Sequence, residues 1–271
     1  PSVIVVFVTA YAQYALEAYR SFPLDFLLKP VKEARLDETI EHLRTQHKLL
    51  NRAYAPESRV RIRCFGAFEL LVAEAVKWRT HRVRELFLYL IDRRGAAPTK
   101  EEMLDALFEG RTDKATVNNL YMTIYRLRNL LSELDAEGKC VRMANDYSLI
   151  VAPGVCDYTD FMAFAARNAA LSEKNAEEAA RALSLYRGPY LEKETYEWAA
   201  DCAREAEAEY GRVALGLVGC YAAAGRAAEA ESALFALLTK NPLSEEGHRA
   251  LLDLYMRTGN RKAYLAGYEE Y

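Results

Sequence analysis

One stretch of the chain, NNLYMTIYRLRNLL at residues 118–131, combines apolar residues with amide, phenol and guanidinium side chains. When the stretch is placed on a helix, Val117 and most of the apolar residues that follow it form a stripe, which is expected to face a core. That stripe comprises Val117, Leu120, Tyr121, Ile124, Leu127 and Leu131. The opposite face comprises Asn118, Asn119, Met122, Tyr125, Arg126 and Asn129. No acidic residue interrupts this face before Glu133.

The side chains on this second face suit contact with nucleobases. Asparagine and arginine make bidentate contacts to adenine and guanine edges in the major groove of DNA. A merely solvated face more often mixes glutamate and lysine for ion pairs four residues apart. Thr123 and Tyr125 suit contact with phosphate or with the thymine methyl group. We therefore predict a helix that reads double-stranded DNA, with contacts from Asn118, Asn119, Thr123, Tyr125 and Arg126.

The elements around this helix predict the domain that positions it. RVRIRCFGAFELLV alternates and is split by Gly66, which predicts an antiparallel hairpin. Helices are predicted at 81–94, 99–109 and 114–134, and Thr99 and Glu102 have the spacing of a capping box. The β-like runs CVRMA and YSLIV then flank the turn signal Asn-Asp. Residues 60–152 thus have the layout of a winged helix, a helix-turn-helix with a β-hairpin wing.

This segment resembles the OmpR-type winged helix, and more closely the antibiotic-regulatory-protein (SARP) class of activators. NNLYMTIYRLRNLL is similar to the recognition helix of that class, including the triplet Arg-Leu-Arg. One departure is Phe-Glu-Gly where the family commonly has Trp-Gly, and Phe108 is expected to fill the same apolar position. The resemblance implies binding to direct repeats near a promoter and contact with RNA polymerase.

Basic residues around the helix have two interpretations each. The resemblance gives Arg128 a contact with the DNA backbone, and a salt bridge to a neighbouring helix is equally compatible with the sequence. Lys139, Arg142 and Asn145 lie on or near the wing, where they would reach the minor groove, although surface strands often carry such residues. Lys100 begins a helix and could meet a phosphate or be simply solvated. Arg82 and Arg84 could contact the DNA backbone or be solvated, and we expect them to be solvated.

Residues 1–50 predict a parallel βαβα unit, with the strands in VIVVFVTA and LDFLLKP and helices at 13–20 and 34–50. VTAY and LLKP resemble the second half of a response-regulator receiver domain, which has a flavodoxin-like fold. By that resemblance Thr9 senses an acyl phosphate, Lys29 contacts it and Phe26 is the aromatic switch. The acceptor aspartate lies on earlier strands. We expect a truncated receiver that is not phosphorylated itself, whereas a sensor histidine kinase would act on the full-length parent.

In a receiver fold, another strand would pair with the run at residues 3–8, and we expect that strand to be missing here. The run at 3–8 would present a long apolar edge, and such edges pair with other chains. We therefore predict a homodimer, or aggregation, through residues 3–8, which a strictly monomeric elution profile at high concentration would contradict. A polar linker follows at 51–59.

Residues 157–271 predict an all-helical domain with an internal repeat. Leu217 and Leu251, Tyr221 and Tyr255, and Gly225 and Gly259 are each 34 residues apart, the tetratricopeptide period. LSLYRGPYLEKETYEWA and NPLSEEGHRALLDLYMRTG resemble the bacterial transcriptional activator domain that follows the winged helix in SARP-type proteins. The sequence stops at Tyr271, before this domain is expected to end.

Composition sets limits on the class of protein. The net charge is −3, with 15 basic against 13 acidic residues at 61–150 and 13 against 19 at 157–271, so a wholly basic nucleic-acid coat is excluded. Five scattered cysteines without a secretory leader predict free thiols in the cytoplasm. The longest apolar run is too short to span a bilayer, so no membrane partner is expected.

Motifs of catalysis are missing from the sequence. It has no H-E-x-x-H, no G-x-S-x-G and no Walker-type glycine loop, so we predict no enzyme, no metal site and no cofactor. The prediction is a multidomain α+β transcriptional activator that binds DNA. The alternative is a protein-interaction scaffold, in which the repeats bind a partner and the winged helix only packs. A weaker third idea is that the repeats sense a small molecule.

Overall fold

The structure is a computed structural model that describes residues 6–9, 25–29, 31, 36, 39, 60–72, 76 and 78–260. The chain forms two compact units, residues 1–56 and residues 57–271, and each is described by itself. The described residues are mostly helical, with a few short strands. None of the described helices is both long enough and apolar enough to cross a membrane.

In the first unit, two strands pair in parallel, as the sequence predicts. β1 (Val6–Thr9) lies beside β2 (Asp25–Leu28), with Thr9 opposite Leu28. Phe26 lies within β2, and Lys29 follows that strand with an exposed side chain. The predicted helix at 13–20, most of the one at 34–50 and the edge residues 3–5 lie outside the described residues. The receiver-switch and dimerisation hypotheses therefore stay predictions.

The second unit begins with the predicted order of hairpin, three helices and hairpin. The first hairpin pairs β3 (Arg61–Arg63) with β4 (Glu69–Leu71). The helices are α1 (His81–Asp92), α2 (Lys100–Phe108) and α3 (Lys114–Leu134). The second hairpin pairs β5 (Val141–Met143) with β6 (Leu149–Val151).

Side-chain caps explain where these helices begin. The hydroxyl of Thr80 accepts a hydrogen bond from the Val83 amide at the start of α1. Thr99 and Glu102 form the predicted capping box of α2. At α3, the carboxylate of Asp113 accepts from the amides of Ala115 and Thr116, both at 3.0 Å. Each cap satisfies amides that the first helical turn leaves without a partner.

The rest of the unit is helical. The helices are α4 (Asp157–Arg167), α5 (Ala176–Leu185), α6 (Ala200–Ala223), α7 (Ala227–Lys240) and α8 (Glu245–Arg257), with short 3-10 turns at Glu173–Asn175 and Glu197–Ala199. Gly225 and Gly259 follow the ends of α6 and α8 with φ of 72° and 68°, a conformation that glycine adopts without strain. The predicted 34-residue period thus recurs as an equivalent helix end.

One hydrophobic core joins the two parts of this unit. Phe65, which follows β3, packs edge-on against Tyr158 and Phe161 of α4, with ring centroids 5.9 and 5.6 Å apart. The amide of Ile62 donates to the Val155 carbonyl at 2.7 Å. The first hairpin is therefore held against the helical part by both apolar packing and backbone hydrogen bonds.

Two bidentate ion pairs also join the first part of this unit, at α1 and just after it, to the helical part. Arg84 binds the carboxylate of Glu194, and Arg94 binds that of Glu205 with both bonds at 3.0 Å. The prediction that Arg84 is solvated is wrong, because the shared core brings a glutamate opposite it. Arg82 is half-buried, binds Glu85 at 2.6 Å and lies over the ring of Phe108. Some basic residues of the stretch 77–100 therefore form ion pairs with acidic residues of the same chain.

Asp160 predicts a pH dependence of stability. Both of its carboxylate oxygens accept from the Gly154 amide, at 3.1 and 3.0 Å, and burial raises its pKa from 3.8 to about 6. Between about pH 4 and pH 6 the folded chain keeps a proton that the unfolded chain has lost, so the unfolding free energy falls as the pH rises through this window. The variant Asp160→Asn has no titratable carboxyl group at this position and so lacks this pH dependence.

We expect wild type to lose about 1–2 kcal/mol relative to Asp160→Asn between about pH 4 and pH 7. Urea unfolding of both proteins across this pH range measures the difference. Because other carboxyl groups titrate equally in the two proteins, their contributions cancel. A difference that stays constant with pH would contradict the prediction.

Candidate nucleic-acid interface

Helix α3 is anchored by a continuous apolar side. Its buried residues on that side are Leu120, Ile124, Leu127, Leu130 and Leu131. On the other side, Asn118, Asn119, Met122 and Tyr125 are exposed, and Arg126 and Asn129 are half-buried. The first four therefore lie on an exposed face as predicted, whereas Arg126 and Asn129 are less exposed than the prediction implies. Contact with DNA stays a prediction.

Two positions on α3 differ from the prediction. Thr123, predicted to contact DNA, is only 1% exposed, and its hydroxyl donates to the Asn119 carbonyl at 2.8 Å. Thr123 lies three residues after Leu120 and four before Leu127, so it belongs to the apolar stripe. In this conformation it cannot reach a phosphate or base. Tyr121, predicted to face the core, is instead 47% exposed.

The polar groups of the exposed face have no partners within the described part of the chain. Neither the Arg126 guanidinium nor the side-chain amides of Asn118 and Asn119 make a hydrogen bond or ion pair there. At the end of the helix, Glu133 binds Arg79 at 3.4 Å. The face therefore offers uncommitted donors and acceptors with no carboxylate among them.

Of the two interpretations of Arg128, the salt bridge to a neighbouring helix is not seen among the described residues. Its guanidinium donates to the Ala144 carbonyl at 3.1 Å and lies over the Tyr147 ring, 5.7 Å from the centroid. No acidic residue in the described ranges pairs with it. Arg128 thus fixes the turn of the second hairpin relative to α3, while its exposed side chain leaves contact with DNA open as a prediction.

Asp135 anchors the other end of that hairpin. Its carboxylate accepts from the amides of Cys140 and Val141, at 2.5 and 3.0 Å. Burial acts to raise the pKa of Asp135, but the hydrogen bonds from these backbone amides outweigh it and lower the pKa. The hairpin therefore has a defined position against the end of α3.

Between α3 and the second hairpin lies a cleft of about 400 Å³. Three predicted site residues, Arg128, Arg142 and Asn145, line it together. Lys139 does not line the cleft; it is exposed and forms an ion pair with Glu137, which does line it. Lys100 is half-buried at the start of α2 and pairs with Glu101 at 3.5 Å, so its predicted phosphate contact gains no support from the structure.

A buried cluster that the sequence did not reveal lies where β3 meets α4. Cys64, Cys156 and Asp157 bring two thiols and a carboxylate within 4.8 Å of one another. The carboxylate already accepts from three backbone amides and from Arg187. Burial raises the pKa of the Cys64 thiol. Such a protonated thiol beside a fully bonded carboxylate is a poor metal site.

Comparison with known proteins agrees with the helical part of the prediction. Residues 156–271 match the family model of the bacterial transcriptional activator domain. An uncharacterized response regulatory protein of Vibrio cholerae is 57% identical over 44 residues, which are 16% of this chain and 19% of that protein. Transcriptional regulatory protein BtsR of Escherichia coli is 39% identical over 54 residues, or 20% of this chain and 23% of BtsR.

A solved structure shares the fold. Mycobacterium tuberculosis EmbR, in complex with a low affinity phosphopeptide, superposes with a TM-score of 0.63 at 20% identity, covering 79% of this chain and 59% of EmbR. The chain thus spans a minor part of the curated relatives and somewhat over half of EmbR. Together, the comparisons show a match of residues 156–271 to the bacterial transcriptional activator domain, a fold shared with part of EmbR, and short stretches similar to bacterial response regulators.

Proposed function

We propose that this chain is a DNA-binding transcriptional activator of the SARP type. Residues 60–152 act as the winged helix, residues 157–271 as the activator domain, and residues 1–50 as part of a receiver joined by the linker 51–59. The observation that carries the proposal is the face of α3, where amides and a guanidinium are uncommitted among the described residues and no carboxylate competes with phosphate.

In this proposal α3 enters the major groove. Asn118, Asn119 and Arg126 contact base edges, since their side chains suit bidentate hydrogen bonding to adenine and guanine. The hairpin at 141–151 serves as the wing, and its Arg142 and Asn145 approach the adjacent backbone or minor groove. Arg128 holds the wing at a fixed distance from the helix through the Ala144 carbonyl.

We propose that the shared core holds the activator domain in a fixed orientation relative to the bound DNA. Phe65 packs against α4 and Arg84 binds Glu194, so these contacts hold the residues beyond 157 against the first hairpin and α1. We propose that promoter-bound chains present this domain to RNA polymerase in one orientation. Two copies bind direct repeats in the cytoplasm, and a sensor histidine kinase regulates the full-length parent through its receiver.

Salt dependence of DNA binding tests the proposal. A chain that neutralises phosphates releases counterions, so the logarithm of its affinity falls linearly with the logarithm of salt concentration. We expect a slope of about −3 to −5 between about 50 and 200 mM salt, in gel shifts with DNA from upstream of the chain's own gene cluster. No shift at the lowest salt concentration would reject the proposal.

The scaffold alternative has one structural observation in its favour. A groove of about 360 Å³ between α5, α6 and α7 is lined mostly by small and apolar residues. Examples are Ala180, Ala214, Leu217, Ala233 and Ala236. A chain that binds no DNA under any salt condition, and that keeps its fold, would favour this groove as the functional surface.

A further inference from the structure

Three large side chains with mainly apolar surface lie exposed on α3 among the polar groups. The exposed fractions are 47% for Tyr121, 48% for Met122 and 59% for Tyr125. Most large apolar side chains of this unit are buried, and leaving such surface in water is unfavourable. A cluster of exposed apolar side chains on an otherwise polar face indicates a binding site for a ligand that also has apolar groups.

Helical spacing makes these three residues one patch. Tyr121 and Tyr125 are four residues apart, and Met122 and Tyr125 are three apart, so their side chains are neighbours on the helix surface. Asn118 precedes Met122 by four residues, and Arg126 follows it by four. The apolar patch is therefore framed by an amide on one side and a guanidinium on the other.

The frame favours DNA over protein as the ligand. A protein that covered this patch would also bury the Asn118 amide and the Arg126 guanidinium, which would each need new partners. The major groove supplies such partners on every base pair, together with one apolar group, the C5 methyl of thymine. In an A·T pair, the adenine edge and the thymine methyl lie side by side in the groove.

We infer that Tyr121, Met122 and Tyr125 form a thymine-methyl patch, so that the bound site places thymines beside the bases contacted by Asn118 and Arg126. This inference rests on the proposed function and adds the base chemistry that the helix selects. It assigns Tyr121 and Met122 a role in specificity, in addition to the hydrogen-bonding residues.

Uracil-containing DNA tests the inference directly. The upstream DNA is amplified with dUTP in place of dTTP, which removes the methyl groups and keeps every hydrogen-bonding group of the bases. Wild type is expected to bind the uracil DNA about fourfold more weakly for each contacted methyl. Met122→Ala is expected to bind thymine DNA more weakly and to show a smaller penalty for uracil. Met256→Ala, which also removes an exposed methionine, is the matched control and should keep the full penalty.

The outcomes separate the inference from the proposed function. If no variant and no DNA gives a shift, the proposed function fails. If wild type binds both DNAs equally, or if Met122→Ala keeps the full uracil penalty, DNA binding stands and the thymine-methyl patch is overturned. Unchanged DNA affinity of Met122→Ala together with an altered oligomeric state also overturns it, and indicates an interface between copies of this chain.

Discussion

Replacing Asp157 by alanine is expected to lower the unfolding free energy of residues 57–271 by about 3–5 kcal/mol. Its buried carboxylate accepts from the amides of Cys64 at 2.7 Å, Phe65 at 3.3 Å and Tyr158 at 2.7 Å, and from Arg187 at 3.1 Å. Alanine leaves these buried amides without an acceptor. The penalty is large because the site lies inside the shared core, where the neighbouring Cys64 is fully buried.

Tryptophan fluorescence during urea unfolding measures this loss. The two tryptophans, Trp78 and Trp198, both lie in the second unit, so the signal reports its unfolding. Asp201→Ala is the matched control, since Asp201 is paired with Arg204 on the surface, where an ion pair contributes at most about 1 kcal/mol. Asp157→Asn should fall between the two. A loss of under about 1 kcal/mol for Asp157→Ala would contradict the prediction.

The position of Asp157 gives this loss a functional meaning. Asp157 begins α4 and binds the backbone just after β3, so it lies where residues 60–152 meet the helical part of the unit. Partial loosening at this point would free the activator helices from α1 before the whole unit unfolds. We therefore regard Asp157 as a structural link between DNA binding and polymerase contact in the proposed function.

Features set by nearby residues were predictable from the sequence. The capping box of Thr99 and Glu102 depends on a spacing of three residues, and α3 has the predicted bounds of 114 and 134. The helix end at Gly225 recurs 34 residues later at Gly259. In each case the interacting groups lie within a few turns of chain, so the pattern contains the information.

Contacts between distant residues were not predictable in the same way. Arg84 and Glu194 are 110 residues apart, and Arg94 and Glu205 are 111 apart. In sequence each is an ordinary charge on a helix, for which solvation is the reasonable expectation. Only the packing of the shared core decides that these charges meet, and no local pattern encodes that packing.

Helix α3 contains one feature that local sequence pattern predicts and one that only the packing decides. Residue type suggested that Thr123 contacts DNA, although its position between Leu120 and Leu127 places it in the apolar stripe. Tyr121 lies at the border of that stripe, so its exposure depends on whether another element covers it. The helical spacing was thus the better guide to Thr123, while the exposure of Tyr121 needed the structure.

Replacing Arg126 by alanine is expected to weaken binding to the specific DNA site by about 5- to 150-fold, corresponding to about 1–3 kcal/mol. Its guanidinium is uncommitted in the described part of the chain, so the loss comes from the DNA contact and leaves the fold intact. Competition gel shifts against unrelated DNA measure specific and non-specific affinity together. A base contact predicts that the specific affinity falls more.

Two further variants separate base recognition from charge. Arg167→Ala removes the same charge from the surface of α4, where the side chain is 70% exposed, and should change both affinities slightly and equally. Arg126→Lys keeps the charge but loses the planar fork, so it should recover non-specific binding and leave specific binding weak. Equal losses for Arg126→Ala and Arg167→Ala would show that Arg126 acts only as a charge. Base recognition by α3 would then depend on its asparagines and its apolar patch.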